Sequence, residues 1–272
     1  MIVLSIASQK GGVGKTTVAL NLSYALAVRG WKVLLIDMDP QGAVGLSIGG
    51  RVSEAKGLVD VVLGRSQFEE VIISTHVPGL SLMPVGAMTY REQAQFERAL
   101  QEQRALGAIL EAGRAREGGL DLVILDTPAG FTIPMVAALW TSTHVVTPLQ
   151  AEPVAFRVLP RFLERLREFR GLGAGLRLAG VVLTMSPKEP SLLKAVDAAW
   201  GQYPPQLRLS PPVPRDPIFL QASSAGVPVA LLRRTPPPAA QVFDELAAAL
   251  EPRLGLSRGA ALDQDGPLPF VD

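Results

Sequence analysis

The 272 residues are 48% apolar and 19% charged, enough apolar material for one large α/β core or two small ones. No apolar run reaches the roughly 18 residues that a helix needs to cross a bilayer. Cysteine is absent, which excludes disulfides, thiolate metal sites and cysteine nucleophiles, and with only His76 and His144 a histidine-rich metal site is not expected. The net charge of +1 is unevenly spread. Residues 1–150 carry −1, residues 151–234 carry +6 and residues 235–272 carry −4, so the middle of the chain is a basic zone.

In chain order, β-rich runs alternate with helical patterns. Strands are predicted at 2–7, 32–38, 80–84, 121–126, 144–149, 177–184 and 207–210. Helices are predicted at 15–29, 57–64, 90–116, 132–141, 154–170, 189–200, 217–225 and 239–254. The alternation implies an α/β fold with a mostly parallel twisted sheet and helices on both faces. Val33-Leu34-Leu35-Ile36 and Leu122-Val123-Ile124-Leu125 are continuously apolar, as strands buried on both faces are. The first run, Ile2 to Ala7, has no basic segment before it and reads as a strand rather than a signal peptide. Pro204 to Pro217 reads as a rigid loop around a short strand, and Pro236-Pro237-Pro238 as the start of the last helix. One domain over 1–254 is expected, with a flexible tail at 255–272, where periodicity is lost and Gly, Asp and Pro accumulate.

The stretch Lys10-Gly11-Gly12-Val13-Gly14-Lys15-Thr16-Thr17 follows a predicted strand and opens a predicted helix, the context of a phosphate-binding loop. The glycines let the backbone curl so that its N–H groups meet phosphate oxygens. The helix N-terminus adds partial positive charge. Lys15 supplies a full charge for the β- and γ-phosphates, and the Thr16 hydroxyl is placed to ligate Mg²⁺. Lys10 is surplus to this task; in isolation a solvated surface lysine would explain it. Two acidic segments end buried strands: Asp37-Met38-Asp39-Pro40-Gln41-Gly42, and Asp126-Thr127-Pro128-Ala129-Gly130. Ligands of parallel sheets bind at the carboxyl ends of strands, so both segments can face the loop, and a carboxylate there suits a Mg²⁺ site.

Residues 10–17 resemble the deviant phosphate loop of the ParA/MinD ATPases, and residues 37–42 resemble the second nucleotide segment of ParA proteins. Pro148-Leu149-Gln150, Gly180 to Met185, Val213-Pro214-Arg215-Asp216 and Gly226 to Val229 also fit ParA/Soj proteins, so the resemblance spans roughly residues 1–250. It implies a P-loop ATPase with ATP/ADP and Mg²⁺ as cofactors, turning over slowly until a partner stimulates it. Residues 11–17 would bind phosphates, with Thr16, Asp37 and Asp126 serving the metal. Asp39 would activate water, and Lys10 would reach a partner's nucleotide in an ATP-bound homodimer. Met185, Pro214, Arg215 and Asp216 would line the adenine pocket. The implied partners are non-specific DNA and a ParB-like centromere-binding or adaptor protein, with a cytoplasmic, nucleoid-associated location and a role in segregating plasmid or chromosomal DNA.

For DNA, the predicted helix 154–170 places Arg157, Arg161 and Arg165 at spacing four, on one face. Arg167 and Arg170 lie beyond them, Glu164 and Glu168 lie among them, and a salt-bridged solvent face is the competing explanation. Lys188 and Lys194 complete the candidate contact set, and Arg208, Arg233 and Arg234 add to the basic zone. Two positions depart from the family pattern: Glu189 stands about where a DNA-contacting arginine is expected, and Ala43 stands where asparagine is usual. Alternatives are ParA-like positioning of a protein cluster or microcompartment, a MinD-like membrane-associated division-site ATPase, and an amide- or cobyrinate-type ligase. The short acidic last helix argues against membrane targeting. The chain enters its first strand directly, the expectation for the short ParA type without a helix-turn-helix extension.

Overall fold

The computed structural model describes residues 1–42, 44–45, 55–102, 104–116 and 118–256. Ala43 and tail residues 257–272 lie outside the described residues. In chain order the elements are β1 (Ile2–Ile6), α1 (Lys15–Val28), β2 (Val33–Asp37), α2 (Leu58–Val62), β3 (Ile73–Ser74), β4 (Leu80–Met83), α3 (Tyr90–Gln101), α4 (Arg104–Ala115), β5 (Leu122–Asp126), α5 (Ile133–Thr141), β6 (His144–Gln150), α6 (Pro153–Gly171), β7 (Arg177–Thr184), α7 (Pro190–Gly201), β8 (Arg208–Leu209), α8 (Ile218–Ala225) and α9 (Pro238–Leu254).

The eight strands form one sheet in the order β3-β4-β2-β5-β1-β6-β7-β8, parallel throughout except for the antiparallel β3–β4 pair at one edge. The P-loop NTPase-type α/β architecture expected from the sequence is therefore present. Its strands are buried on both faces because successive residues feed opposite cores. Leu4, Ile6, Leu35, Ile124, Val146 and Val182 pack with α1 and α9, whereas Val3, Leu34, Ile36, Val123 and Leu125 pack with α2 to α5. Val145, Leu149, Val181 and Leu183 face α6 and α7.

Two features differ from the sequence expectation. The single helix predicted at 90–116 is two helices. The apolar stripe of α3, Phe96 and Leu100, is out of phase with that of α4, Leu106, Ile109 and Leu110. One continuous helix would turn one of the stripes away from the core, and the break lets both face it. The two-residue strand β3 was not anticipated, because it is too short to show alternation.

The register sets up the functional end of the sheet. Ile6, Asp126 and Asp37 are direct neighbours across β1, β5 and β2. The phosphate loop and both acidic segments therefore leave adjacent strands at the same level.

Candidate nucleotide site

Ala7 follows β1 and donates its N–H to the Val146 carbonyl (3.0 Å), and the chain then loops into α1. Gly12 and Gly14 hold φ of +70° and +84°, a region that disfavours any residue with a Cβ, and a Cβ built on either would meet nothing within 4 Å. Glycine is thus required by the backbone bend, and the space beside it is open to a ligand. Gly14 caps α1 without any side-chain acceptor for the first-turn N–H groups, which leaves those donors for an anion. From the far side, the Thr184 hydroxyl at the end of β7 donates to the Val13 carbonyl (2.8 Å) and fixes the loop.

Lys15 is buried, 8% exposed, at the base of the loop. Burial lowers its pKa, and attraction to Asp126 and then Asp39 opposes that shift. Asp126 is fully buried, and among the described residues neither carboxylate oxygen closes a hydrogen bond. Burial is the main reason its pKa is pushed up to about 7; the nearby Thr16 hydroxyl and Lys15 ammonium favour the ionised form without saturating it, and Asp39 disfavours it. Asp37 is just as deeply buried but differently employed. Its Oδ1 accepts the Asp39 N–H (3.0 Å) and its Oδ2 accepts the Val44 N–H (2.9 Å). Burial, then repulsion by Asp126, holds its pKa well above the usual carboxylate range. Asp37 thereby shapes the loop after β2, and Asp126 is left with unused lone pairs. Half-buried Asp39 lies on that loop, with its Oδ1 accepting the Gln41 N–H (3.0 Å).

Beside the loop is a cleft of about 440 Å³, lined mainly by apolar groups. All four residues expected around an adenine, Met185, Pro214, Arg215 and Asp216, line it, together with Phe219 and Leu220. Backbone bonds from Ser186 to Val213 and from Arg215 to Ser186 (both 2.9 Å) hold the two walls together. Met185 takes φ +53°, an uncommon conformation for a side-chain-bearing residue, at the mouth of this cleft.

Lys10 does not enter its own phosphate cradle. Its Nζ donates to Gln150 Oε1 (3.1 Å) and stands 3.7 Å from Glu152, at the exposed lip of the loop. Glu152 also faces Arg215 (3.8 Å). This role of Glu152 was not anticipated; its only sequence signal is a carboxylate two residues beyond a strand end.

The basic zone divides. Arg157, Arg161 and Lys194 are exposed on α6 and α7. Arg165 is exposed but pairs with Glu168 (3.6 Å) and lies over the Phe131 ring. Lys188 is bound to Asp216 (2.9 Å) at the cleft rim. Arg208 is half-buried, donates to the Tyr203 carbonyl (2.6 Å) and stacks over Trp200, so it belongs to the fold. Glu189 precedes α7 and accepts from the Ser191 hydroxyl.

Comparison with known proteins decides the family. The AAA domain family matches residues 1–173. The chain is 36% identical to the chromosome partitioning protein ParA of Caulobacter vibrioides, over 84% of this chain and 86% of that protein. The chain belongs to the ParA/Soj family of partition ATPases.

A second relative of this ParA-family ATPase is the chromosome-partitioning ATPase Soj of Thermus thermophilus, 34% identical over 86% of this chain and 89% of that one. Among solved structures, cobyrinic acid a,c-diamide synthase of Mycobacterium smegmatis with a bound ATP analogue and magnesium has a TM-score of 0.73. It is 28% identical and covers 92% of this chain and 94% of its own. The residues of this ParA-family chain fit the same pair of cofactors: the open glycine bend suits phosphates, and the unpartnered Asp126 carboxylate suits a cation. Among the described residues no cluster of three or more His, Asp or Glu forms a metal cage. Among the same residues no helix is long and apolar enough to cross a membrane.

Proposed function

We propose that this ATPase is a nucleotide-gated dimer that binds DNA without sequence preference and serves to segregate or position it, with a ParB-like partner stimulating turnover. The observation that carries this reading is the division of labour between two lysines. Lys15 is buried in its own cradle, whereas Lys10 stands at the lip, on exposed contacts to Gln150 and Glu152. Exposed ion pairs of this kind are worth about 0–1 kcal/mol, so Lys10 is readily released toward a second copy.

The loop amides, Lys15 and Thr17 hold the phosphates. Thr16 and Asp126 hold Mg²⁺, with Asp37 shaping the adjoining loop. Met185, Pro214, Arg215 and Asp216 receive the base. Mg²⁺, when bound, neutralises charge on the phosphate chain. Asp39 orients and deprotonates the attacking water. Two facing copies bind ATP better than one, which shifts the population toward dimer, and loss of the terminal phosphate reverses the shift. DNA contact falls to Arg157, Arg161 and Lys194, with Arg165 and Lys188 contributing once freed from Glu168 and Asp216.

Sizing in solution tests the dimer. The wild type is expected to be monomeric with ADP and dimeric with ATP. Lys10→Ala should keep nucleotide affinity and lose the ATP-bound dimer; a Lys10→Ala variant that still dimerises with ATP would sink this reading. DNA retardation tests the second half. Binding should require ATP and weaken steeply with salt. The double variant Arg157→Ala/Arg161→Ala should flatten the log–log salt slope by about two for each engaged protomer. Absence of retardation by the ATP-bound protein at low salt would remove DNA from the proposal.

A further inference from the structure

The run Val18-Ala19-Leu20-Asn21-Leu22 of α1 is buried throughout and apolar but for Asn21. Asparagine is a poorer helix former than leucine, and burying its amide costs free energy unless both ends are bonded. Here both are. Asn21 Nδ2 donates to the Thr17 carbonyl (2.8 Å), one turn back, and Oδ1 accepts the N–H of Val229 (2.8 Å), 208 residues further on. One partner is a carbonyl and the other an N–H, so a single orientation of the amide serves both.

The two partners belong to different parts of the candidate nucleotide site. Thr17 closes the phosphate loop and also lines the cleft beside it. Val229 follows α8, whose Phe219, Leu220 and Ser223 line the same cleft. The start of α8 is tied to α9, where the Phe219 ring packs edge-on against Phe243 (6.1 Å, 82°). At its end the chain turns through Gly226, φ +71°, with the Val227 N–H donated to the Ala222 carbonyl (3.1 Å), and Val229 then opens a short 3₁₀ turn. Gly226 to Val229 lies outside the cleft lining, yet its last N–H ties the end of α8 to the phosphate-loop helix.

We propose that Asn21 is a positioning residue for base recognition: through Thr17 on one side and Val229 on the other, it fixes the α8 wall of the cleft at a set distance from the phosphate loop. Asn21 does not line the cleft itself. Its loss therefore leaves phosphate binding intact and weakens the hold on the nucleoside. This rests on the reading of the cleft as the base site, and it is independent of the dimer and DNA readings.

Calorimetric titration of the full chain with Mg²⁺ and either ADP or inorganic pyrophosphate tests it, because pyrophosphate fills the cradle without a base. The wild type should prefer ADP. Asn21→Leu, close in volume but without either bond, should weaken ADP by about tenfold and pyrophosphate by less than about twofold. Val229→Pro removes the donor from the other side. It falls at a first-turn position that tolerates proline, and Pro228 already holds the extended ψ of 148° that a following proline requires. It should give the same selective loss, and it decides the matter if Asn21→Leu does not fold. The double variant Asn21→Leu/Val229→Pro has no orphaned N–H, so its melting temperature should recover toward the wild type while its preference for ADP stays lost. Recovery of that preference together with stability would reduce Asn21 to a structural role and overturn the proposal. So would a folded single variant that keeps the wild-type preference, or one that loses both ligands equally. A wild type that binds pyrophosphate as tightly as ADP would end the base reading of the cleft, and this proposal with it. A wild type that prefers ADP, beside variants that prefer it as strongly, would end this proposal alone.

Discussion

Asp39→Ala should lower ATP turnover by about 10²–10⁴-fold, the usual contribution of a positioned general base, and should leave an ATP-bound dimer that no longer falls apart. The geometry explains why binding and turnover separate here. Asp39 stands on the loop beyond β2, half-buried, whereas the proposed phosphate cradle is built from residues 11–17, with Thr184 and Asp126 beside it. Removing the Asp39 carboxylate takes no hydrogen bond from that cradle; it takes only the smaller of the two carboxylate attractions on Lys15. It does remove the acceptor for the Gln41 N–H, a local loss of about 0.5–1.5 kcal/mol. Asp39→Asn provides the control, because its side-chain carbonyl can still accept that bond while the base is gone. Both variants should lose turnover in a phosphate-release assay, and both should run as dimers on sizing with ATP. An Asp39→Ala chain that binds ATP normally yet stays monomeric would contradict the sandwich dimer.

Lys15→Ala has the opposite signature. Nucleotide affinity should fall by at least about 100-fold, since a buried charged group that bonds phosphate oxygens contributes several kcal/mol. The empty protein, however, should melt at the same temperature or higher. Burial disfavours the Lys15 ammonium, as the downward shift of its pKa records, and the nearby carboxylates Asp126 and Asp39 compensate only in part. Truncation removes that desolvation cost from the unliganded state. It also leaves Asp126 without its nearest cation, which raises that carboxyl further toward its neutral form. A titration with ATP and a thermal melt on the same sample would show the two signs. A variant that is both unfolded and unable to bind would point to a structural role for Lys15.

How much of this was legible beforehand depends on distance along the chain. The phosphate loop is a local word: eight contiguous residues between a strand and a helix fix their own backbone and chemistry. The sheet was legible for a similar reason, because runs such as 33–36 and 122–125 announce burial on both faces. That Asp37 and Asp126 become neighbours could be expected from the rule for strand ends, but their different employment could not. It depends on which carboxylate the backbone N–H groups of Asp39 and Val44 happen to meet. The pairing of Lys188 with Asp216 joins a residue expected at DNA to one expected at a base, and only tertiary contact reveals it. Arg208 entered the basic zone by composition and left it on packing, between the Tyr203 carbonyl and the Trp200 ring. Phe131 gave no signal at all, since a lone aromatic after a loop has no periodicity to betray its partners. The break within 90–116 was readable in principle, as a slip in phase between Leu100 and Leu106, but helix propensity alone hides it.

The two shortest strands are the two outermost ones. β3 and β8 have two residues each, and β8 is hemmed in by Pro204, Pro205, Pro211 and Pro212. Arg253 occupies the outer carbonyls of that end, donating to those of Ala179 (2.8 Å) and Arg208 (2.6 Å). A long open edge would invite strand-to-strand addition of further copies, the first step toward fibrils. Such brief, proline-flanked margins offer almost no template for it. If the proposed ATP-bound dimer forms at the nucleotide face, these margins protect the chain from sticking to its own copies at the wrong one.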